Sequence, residues 1–65
     1  MPIVTIDLVA GRTIAQKREL VAKVTQAVCE AIAVDASNVR IILQDMNPEN
    51  YGFAGKLIMD QRDKT

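Results

Sequence analysis

A long amphipathic segment in the middle of the chain constrains its fold more than any other feature. Over residues 13–33, apolar side chains recur at three- and four-residue spacing, and charged and amide side chains fall largely on the opposite side. This periodicity predicts a single amphipathic helix. Thr13, followed three residues later by Gln16, has the pattern of a capping box and marks the expected start of the helix.

The segments before and after this helix are predicted to be strands. Residues 2–8 are rich in β-branched side chains, and Val4, Ile6 and Leu8 would share one face by two-residue alternation. Residues 39–44 form a second, mostly apolar run. Because a helical crossover of this length joins parallel strands, the predicted fold class is α/β: a single β-α-β protomer with parallel strands.

The last part of the chain is expected to add a small appendage to this unit. Residues 47–50 are predicted to form a turn, and residues 51–58 a short glycine-punctuated arm or hairpin. Residues 60–65 are expected to form a charged tail. No repeat or linker interrupts this pattern, so residues 1–65 are predicted to form one domain.

A chain of 65 residues is expected to be only marginally stable through its own core alone. A domain of this size buries only about 60% of the surface that its unfolded form exposes, and disulfides, metals or association usually compensate. The chain has no histidine and a single cysteine, Cys29, which is predicted to be a small buried hydrophobe on the helix. We therefore expect a homo-oligomer in which other copies complete the sheet.

Composition argues against several classes of partner. The formal net charge is zero and there is no basic run, so nucleic acid is not expected to bind. No segment approaches the roughly 20 apolar residues needed to span a bilayer, so no membrane partner is expected. The apolar start lacks a positively charged region and is interrupted by Asp7, unlike a signal peptide. The expected location is the cytoplasm.

Most familiar catalytic groups can be excluded by counting, and Pro2 is what remains. The sequence has no histidine for a nucleophile–base pair and no metal-binding or glycine-rich phosphate motif. Removal of Met1 would expose the secondary amine of Pro2. An α-amino group has a reference pKa of about 7.7–8.0, which suits a base working near neutral pH. The alternative is that Pro2 only rigidifies the start of the strand.

Short motifs along the chain occur together at a characteristic spacing. They are Met1-Pro2-Ile3-Val4-Thr5-Ile6 at the start of the first strand, Gly11-Arg12 before the helix, Val39-Arg40-Ile41-Ile42 in the second strand, and Tyr51-Gly52-Phe53 with Gly55 in the arm. From Pro2 to about Leu57 the chain resembles the 4-oxalocrotonate tautomerase family. The resemblance implies dimers of β-α-β protomers that assemble as hexamers, with neither metal nor cofactor. It also implies enol–keto proton transfer on a 2-hydroxymuconate-like dienol dicarboxylate, as in aromatic-compound degradation.

The resemblance also assigns roles to individual residues. Pro2 matches the family's general base and acid. Arg12 matches an arginine that binds one substrate carboxylate, and Arg40 one that engages the other carboxylate and the enol oxygen from a neighbouring subunit. Arg40 also interrupts an apolar run, where a charge is costly unless it faces a partner or a ligand. Three further positions match residues that approach the substrate: Leu8, Asn38 and Tyr51.

Two rival functions remain open at the level of sequence. Family members that dehalogenate haloacrylates need an additional acidic residue to activate water, and Glu49 is the nearest candidate. A chain that retained Met1 would have a blocked amine and could serve as a non-catalytic oligomeric module. Ala54 stands where the family often has glycine, and Arg62 could correspond to an arginine near the carboxyl terminus.

Overall fold

The computed structural model describes residues 1–62, and for Arg62 the backbone alone. The elements in chain order are β1 Ile3–Val9, α1 Ile14–Ile32, β2 Arg40–Met46, β3 Gly52–Phe53, β4 Lys56–Leu57 and α2 Ile58–Arg62. Single turns of 3-10 helix occupy Ala36–Asn38 and Pro48–Asn50. The predicted β-α-β unit and C-terminal hairpin are confirmed. The short helix α2 was not predicted and takes in the start of the expected charged tail, while residues 63–65 lie outside the described part.

Strands β1 and β2 pair in parallel along their whole length. The register runs from Ile3 opposite Arg40 to Val9 opposite Met46. One more hydrogen bond extends each end of the ladder: the Arg40 amide donates to the Pro2 carbonyl at 3.1 Å, and the Ala10 amide to the Met46 carbonyl at 2.8 Å. Pro2 is thereby hydrogen-bonded to the sheet, although it precedes Ile3, the first residue of β1.

The two faces of this sheet differ in what covers them. Alternate side chains of β1 are half-buried, and these are the predicted row of Val4, Ile6 and Leu8. The opposite face exposes Ile3 and Ile42, which are 62% and 45% accessible. A two-stranded sheet with one helix therefore leaves a face with exposed apolar side chains uncovered in the single protomer.

Helix α1 begins where the capping pattern predicts. The Gln16 amide donates to Thr13 Oγ1 at 3.1 Å, and the Thr13 amide donates to Gln16 Oε1 at 2.9 Å, so both halves of the capping box are formed. The helix ends at Ala33, which adopts a left-handed conformation with φ 56°. No helix in residues 1–62 is long and apolar enough to cross a membrane.

The protomer is extended, and its interior is small. Its radius of gyration is 15.0 Å, against about 11 Å for a compact domain of 65 residues. Among the described residues, Val39 is the one apolar side chain that is buried, at 8% accessible. Cys29 was predicted to be buried, but it is only half-buried in the protomer. The single chain thus buries very little hydrophobic core between its helix and its sheet.

The hairpin of β3 and β4 turns through two residues with positive φ. Ala54 has φ 54° and Gly55 has φ 80°, the combination that a two-residue hairpin loop of type I′ requires. Ala54 therefore stands at a position that favours glycine or asparagine, which agrees with the expectation from the family pattern. The pairing itself is tight at Gly52, which lies opposite Leu57.

Replacing Gly52 with alanine is expected to disrupt this hairpin. An added Cβ would lie 2.8 Å from the Lys56 carbonyl oxygen, a backbone atom that cannot move without breaking the pairing. We expect Gly52→Ala to lower the free energy of unfolding by about 1–3 kcal/mol, as overpacking does elsewhere. Urea denaturation at a fixed protein concentration measures the change.

Ala54→Gly provides the matched control in the same hairpin. It relieves a left-handed alanine without adding an atom, so the free energy of unfolding should stay the same or rise slightly. Equal destabilisation by Gly52→Ala and Ala54→Gly would contradict the steric explanation.

Candidate functional site

The residues predicted to act on substrate fall into two groups at opposite ends of β1. The Pro2 end holds Pro2, bonded through its carbonyl to the Arg40 amide, and Asn38, two residues before Arg40. The Arg12 end holds Leu8 and Arg12, whose Nη1 donates to the Val9 carbonyl at 3.0 Å. The structure thus brings Pro2 to Arg40 and Leu8 to Arg12, but keeps the two pairs apart.

The distance between these ends is too large for one small substrate. At about 3.3 Å per residue, the seven-residue strand β1 is about 20 Å long. A six-carbon diacid spans less than about 8 Å, given carbon–carbon bonds of about 1.5 Å. A substrate held at the amine of Pro2 therefore does not reach Arg12 of the same protomer.

Arg40 is close to Pro2 along the backbone, but its side chain is directed elsewhere. It is exposed and belongs to the row of Ile3 and Ile42, on the sheet face that α1 leaves open. Its Nη1 donates to the Ser37 carbonyl at 2.8 Å and lies 3.4 Å from the Val39 carbonyl. The guanidinium is therefore folded back over the preceding turn. A contribution of Arg40 to a neighbouring subunit's site stays a prediction.

Both arginines are restrained by backbone carbonyls, and within residues 1–62 neither has a carboxylate partner. In each, Nη1 donates to a carbonyl three residues earlier in the chain. The ion pairs formed within the described residues are those of Lys17 with Asp45 and Lys23 with Glu19. A guanidinium has five N–H donors in a planar fork. Arg12 and Arg40 thus keep most of their donors for a carboxylate ligand, which they can grip with two bonds.

A hollow of about 300 Å³ opens at the Arg12 end of the protomer. It is lined by Leu8, Arg12, Gln16, Lys17 and Leu20. Two aliphatic side chains supply an apolar surface, and two cations with an amide supply polar groups around it. Such a lining suits a short hydrocarbon chain that ends in a carboxylate.

The described positions of three other predicted residues do not connect them to the hollow beside Arg12. Tyr51 joins the second 3-10 turn to β3, where its carbonyl accepts the Ile58 amide at 2.8 Å, and it does not line the hollow beside Arg12. Glu49 takes part in that turn through its amide, which donates to Asn47 Oδ1 at 3.1 Å. The side chain of Arg62 lies outside the described residues, so its suggested role stays untested.

Sequence reasoning missed Lys17 and Asp45 as members of the Arg12 end. In the sequence, Lys17 falls on the polar side of the predicted helix, and Asp45 directly follows the predicted second strand. In the structure, Lys17 Nζ forms an ion pair with Asp45 Oδ2 beside the hollow. No local pattern in the sequence indicates this pair, because it depends on the parallel register that places Asp45 opposite Leu8.

Comparison with known proteins identifies the class to which this fold and this site belong. A family model described as tautomerase enzyme matches residues 2–61, which includes every element from β1 to the first residues of α2. The match starts at Pro2 and takes in Arg12 and Arg40. The protein is thus an isomerase of the tautomerase class.

Individual relatives narrow the class further. The chain is 44% identical to a 2-hydroxymuconate tautomerase of Pseudomonas putida over 85% of its length and 87% of that protein. It is 40% identical to a 2-hydroxymuconate tautomerase of Bacillus subtilis, over 92% and 97%. A solved 4-oxalocrotonate tautomerase isozyme of Methylibium petroleiphilum superposes with a TM-score of 0.92 at 33% identity, covering 98% and 100%. The chain belongs to the 4-oxalocrotonate tautomerase family.

These relatives favour one of the two catalytic functions left open by the sequence. Two of them are named for 2-hydroxymuconate tautomerisation, and the structural neighbour is a 4-oxalocrotonate tautomerase. Within the chain, Glu49 is engaged in a turn by its backbone and is exposed. The tautomerase is therefore favoured over the haloacrylate dehalogenase.

Proposed function

We propose that this tautomerase acts on a 2-hydroxymuconate-like dienol dicarboxylate, with the amine of Pro2 as its base. The observation that carries the proposal is the pair of arginines, Arg12 and Arg40, each restrained by a backbone carbonyl and neither paired with a carboxylate within the described residues. Two planar guanidinium groups are the natural ligands of a substrate with two carboxylates.

The proposed reaction moves one proton and leaves the composition of the substrate unchanged. The neutral amine of Pro2 takes the proton from the enol oxygen, and the electron pair of that O–H bond forms the carbonyl. The conjugated double bonds shift, and the resulting ammonium returns a proton to carbon at the 3- or 5-position. The chemistry is therefore general base and then general acid catalysis by a single group, with neither metal nor cofactor.

The arginines contribute binding and electrostatics to this transfer. Arg40 engages one carboxylate and the enol oxygen, where negative charge develops as the proton leaves. Arg12 binds the other carboxylate and draws electron density along the conjugated chain. Cations beside the amine and exclusion of water both disfavour its protonated form, so we expect the pKa of Pro2 to lie below the usual value of an α-amino group.

The amine depends on removal of Met1, and the structure is compatible with that step. Met1 is 76% accessible and precedes β1, while Pro2 is attached to the sheet through its carbonyl and not its nitrogen. Loss of Met1 therefore leaves every hydrogen bond of the β1–β2 ladder in place. The non-catalytic alternative applies only to chains that retain Met1.

We further propose that each site combines Pro2 of one protomer with the Arg12 end of another and with Arg40 of a neighbouring subunit. The ends are about 20 Å apart along β1, which no six-carbon substrate spans. The uncovered sheet face, together with Val39 as the one buried apolar side chain of the described residues, supports a homo-oligomer. A dimer is the proposed building block and a hexamer the proposed assembly, as the family resemblance implies. Location in the cytoplasm stays a prediction.

Mixing two inactive variants is expected to restore activity if the site is shared. Pro2→Leu places a bulky residue second, which retains Met1 and removes the base, while Arg12→Ala removes one carboxylate ligand. Unfolding the two chains together and refolding them should recover about a quarter of wild-type activity, because random pairing unites an intact Pro2 with an intact Arg12 in that share of sites.

Each variant refolded alone serves as the control and should stay inactive. Sedimentation of the mixture should show the same multimer as the wild type. Absence of recovery in a correctly assembled mixture would show that Pro2 and Arg12 act from the same chain and would contradict the shared site.

A further inference from the structure

We propose that Lys17 is a second cation for the substrate carboxylate bound by Arg12. In this proposal, the ion pair with Asp45 positions Lys17 beside that carboxylate. The inference rests on the proposed function, because it adds a residue to the same dicarboxylate site. It concerns a specificity-determining residue: Lys17 would matter for substrates that carry a second carboxylate and not for those that lack one.

The backbone places Lys17 firmly at the Arg12 end. Its amide donates to the Thr13 carbonyl at 3.1 Å, so it lies one turn into α1, directly after the capping box. Its side chain crosses from the helix to the sheet and forms an ion pair with Asp45 of β2. Asp45 lies opposite Leu8 in the parallel register. Lys17 is therefore tied to the same end of β1 that carries Leu8 and Arg12.

Lys17 shares a surface with Arg12. Both line the 300 Å³ hollow, together with the aliphatic side chains of Leu8 and Leu20. The side chains of Lys17 and Asp45 are 27% and 39% accessible, whereas those of Lys23 and Glu19, the other ion pair of the described residues, are 73% and 65% accessible. Because solvent and salt screen a partly shielded charge less, Lys17 should attract an anion more strongly than the solvated Lys23.

The charges at this end favour an anion even with the ion pair formed. Arg12 and Lys17 contribute two positive charges and Asp45 one negative charge, which leaves a net charge of +1. An ammonium has three donors, and Asp45 occupies one of them in the structure. A substrate carboxylate in the hollow could therefore take two bonds from Arg12 and one from Lys17 without displacing Asp45.

Two substitutions at this pair should change KM in opposite directions. Lys17→Met keeps the length of the stem and removes the charge, and should raise KM for 2-hydroxymuconate about tenfold with little change in kcat. Asp45→Asn frees the ammonium and removes a negative charge, and should lower KM about two- to fivefold. Lys17→Arg keeps the charge and should remain near wild type. With the enol of phenylpyruvate, which has one carboxylate, the KM of all three variants should stay within about twofold of the wild-type value.

A purely structural ion pair predicts a different pattern. Breaking it from either side would destabilise α1 against β2, so Lys17→Met and Asp45→Asn would change KM in the same direction for both substrates. That result, or a KM for 2-hydroxymuconate unchanged by Lys17→Met, would overturn the proposal. Lys23→Met, which breaks the solvated pair on the same helix, is the matched control and should change neither KM.

Direct binding separates this inference from the proposed function. Calorimetric titration with muconate, a dicarboxylate that has no enol to isomerise, should give weaker binding to Lys17→Met and tighter binding to Asp45→Asn. Wild-type protein that binds muconate but fails to turn over 2-hydroxymuconate would refute the proposed reaction and leave Lys17 as an anion ligand. Equal affinity of wild type and Lys17→Met for muconate would refute the role of Lys17.

Discussion

Pro2→Leu is expected to reduce kcat/KM for 2-hydroxymuconate by a factor of about 10² to 10⁴, the usual contribution of a positioned general base. The bulky second residue retains Met1, so the chain has neither the secondary amine nor any amine at position 2. The rest of the protein should be unaffected, because the bond from the Arg40 amide uses the backbone carbonyl of residue 2. Steady-state kinetics measure the loss, and intact mass confirms that Met1 is present.

Pro2→Ala should have a smaller effect and serves as the comparison. Alanine allows removal of Met1 and leaves an amine at the same position, but it lacks the ring that restricts the backbone at proline. The amine then samples more orientations, and proton transfer at neutral pH should slow by less than in Pro2→Leu. Wild-type activity in a chain proven to retain Met1 would exclude Pro2 as the base.

Arg40→Ala is expected to lower kcat/KM by about 10- to 150-fold. A charge-assisted hydrogen bond contributes about 1.5–3 kcal/mol, and Arg40 is proposed to make such bonds to a carboxylate and to the enol oxygen. Stability should change little, because the side chain is exposed and, among the described residues, bonds to the backbone carbonyls of Ser37 and Val39 that precede it. Arg40→Lys keeps the charge without the planar fork and should fall between the wild type and Arg40→Ala.

The loss in Arg40→Ala should also depend on pH. The neutral amine of Pro2 is the active form, so kcat/KM rises with pH through the pKa of that amine and levels off above it. Removal of a nearby cation raises this pKa, so the variant should lose more activity at pH 6.5 than at pH 9. Arg18→Ala, at an exposed arginine on α1, is the control and should alter neither the rate nor the profile. A loss that is equal at all pH values would place Arg40 too far from Pro2 to affect its charge.

The sequence predicts the local elements of this fold well because each is determined by nearby residues. The capping box at Thr13 and Gln16 is a contact within one helical turn, and the structure forms both of its hydrogen bonds. The alternation in β1 likewise depends only on neighbours along the strand. Helix α2 was not predicted, because five residues carry too little periodicity to distinguish a helix from a charged tail.

The sequence proposes candidate site residues but not their arrangement. The resemblance to the family assigns roles to Pro2, Arg12 and Arg40, and those roles stay predictions. Their separation into two ends of β1 depends on which carbonyl each guanidinium bonds and on the length of the strand. The ion pair of Lys17 with Asp45 joins residues 28 positions apart, and no local pattern indicates it.

By itself the sequence determined the β-α-β unit, the start of its helix and the inventory of chemical groups, since these depend on short-range periodicity and on counting. Tertiary structure decided where those groups lie. The parallel register places Asp45 beside Leu8 and attaches Pro2 to Arg40, and the length of β1 holds Pro2 about 20 Å from the Val9 carbonyl that restrains Arg12. Distances of this kind arise from the pairing of segments far apart in the chain, which no local preference specifies.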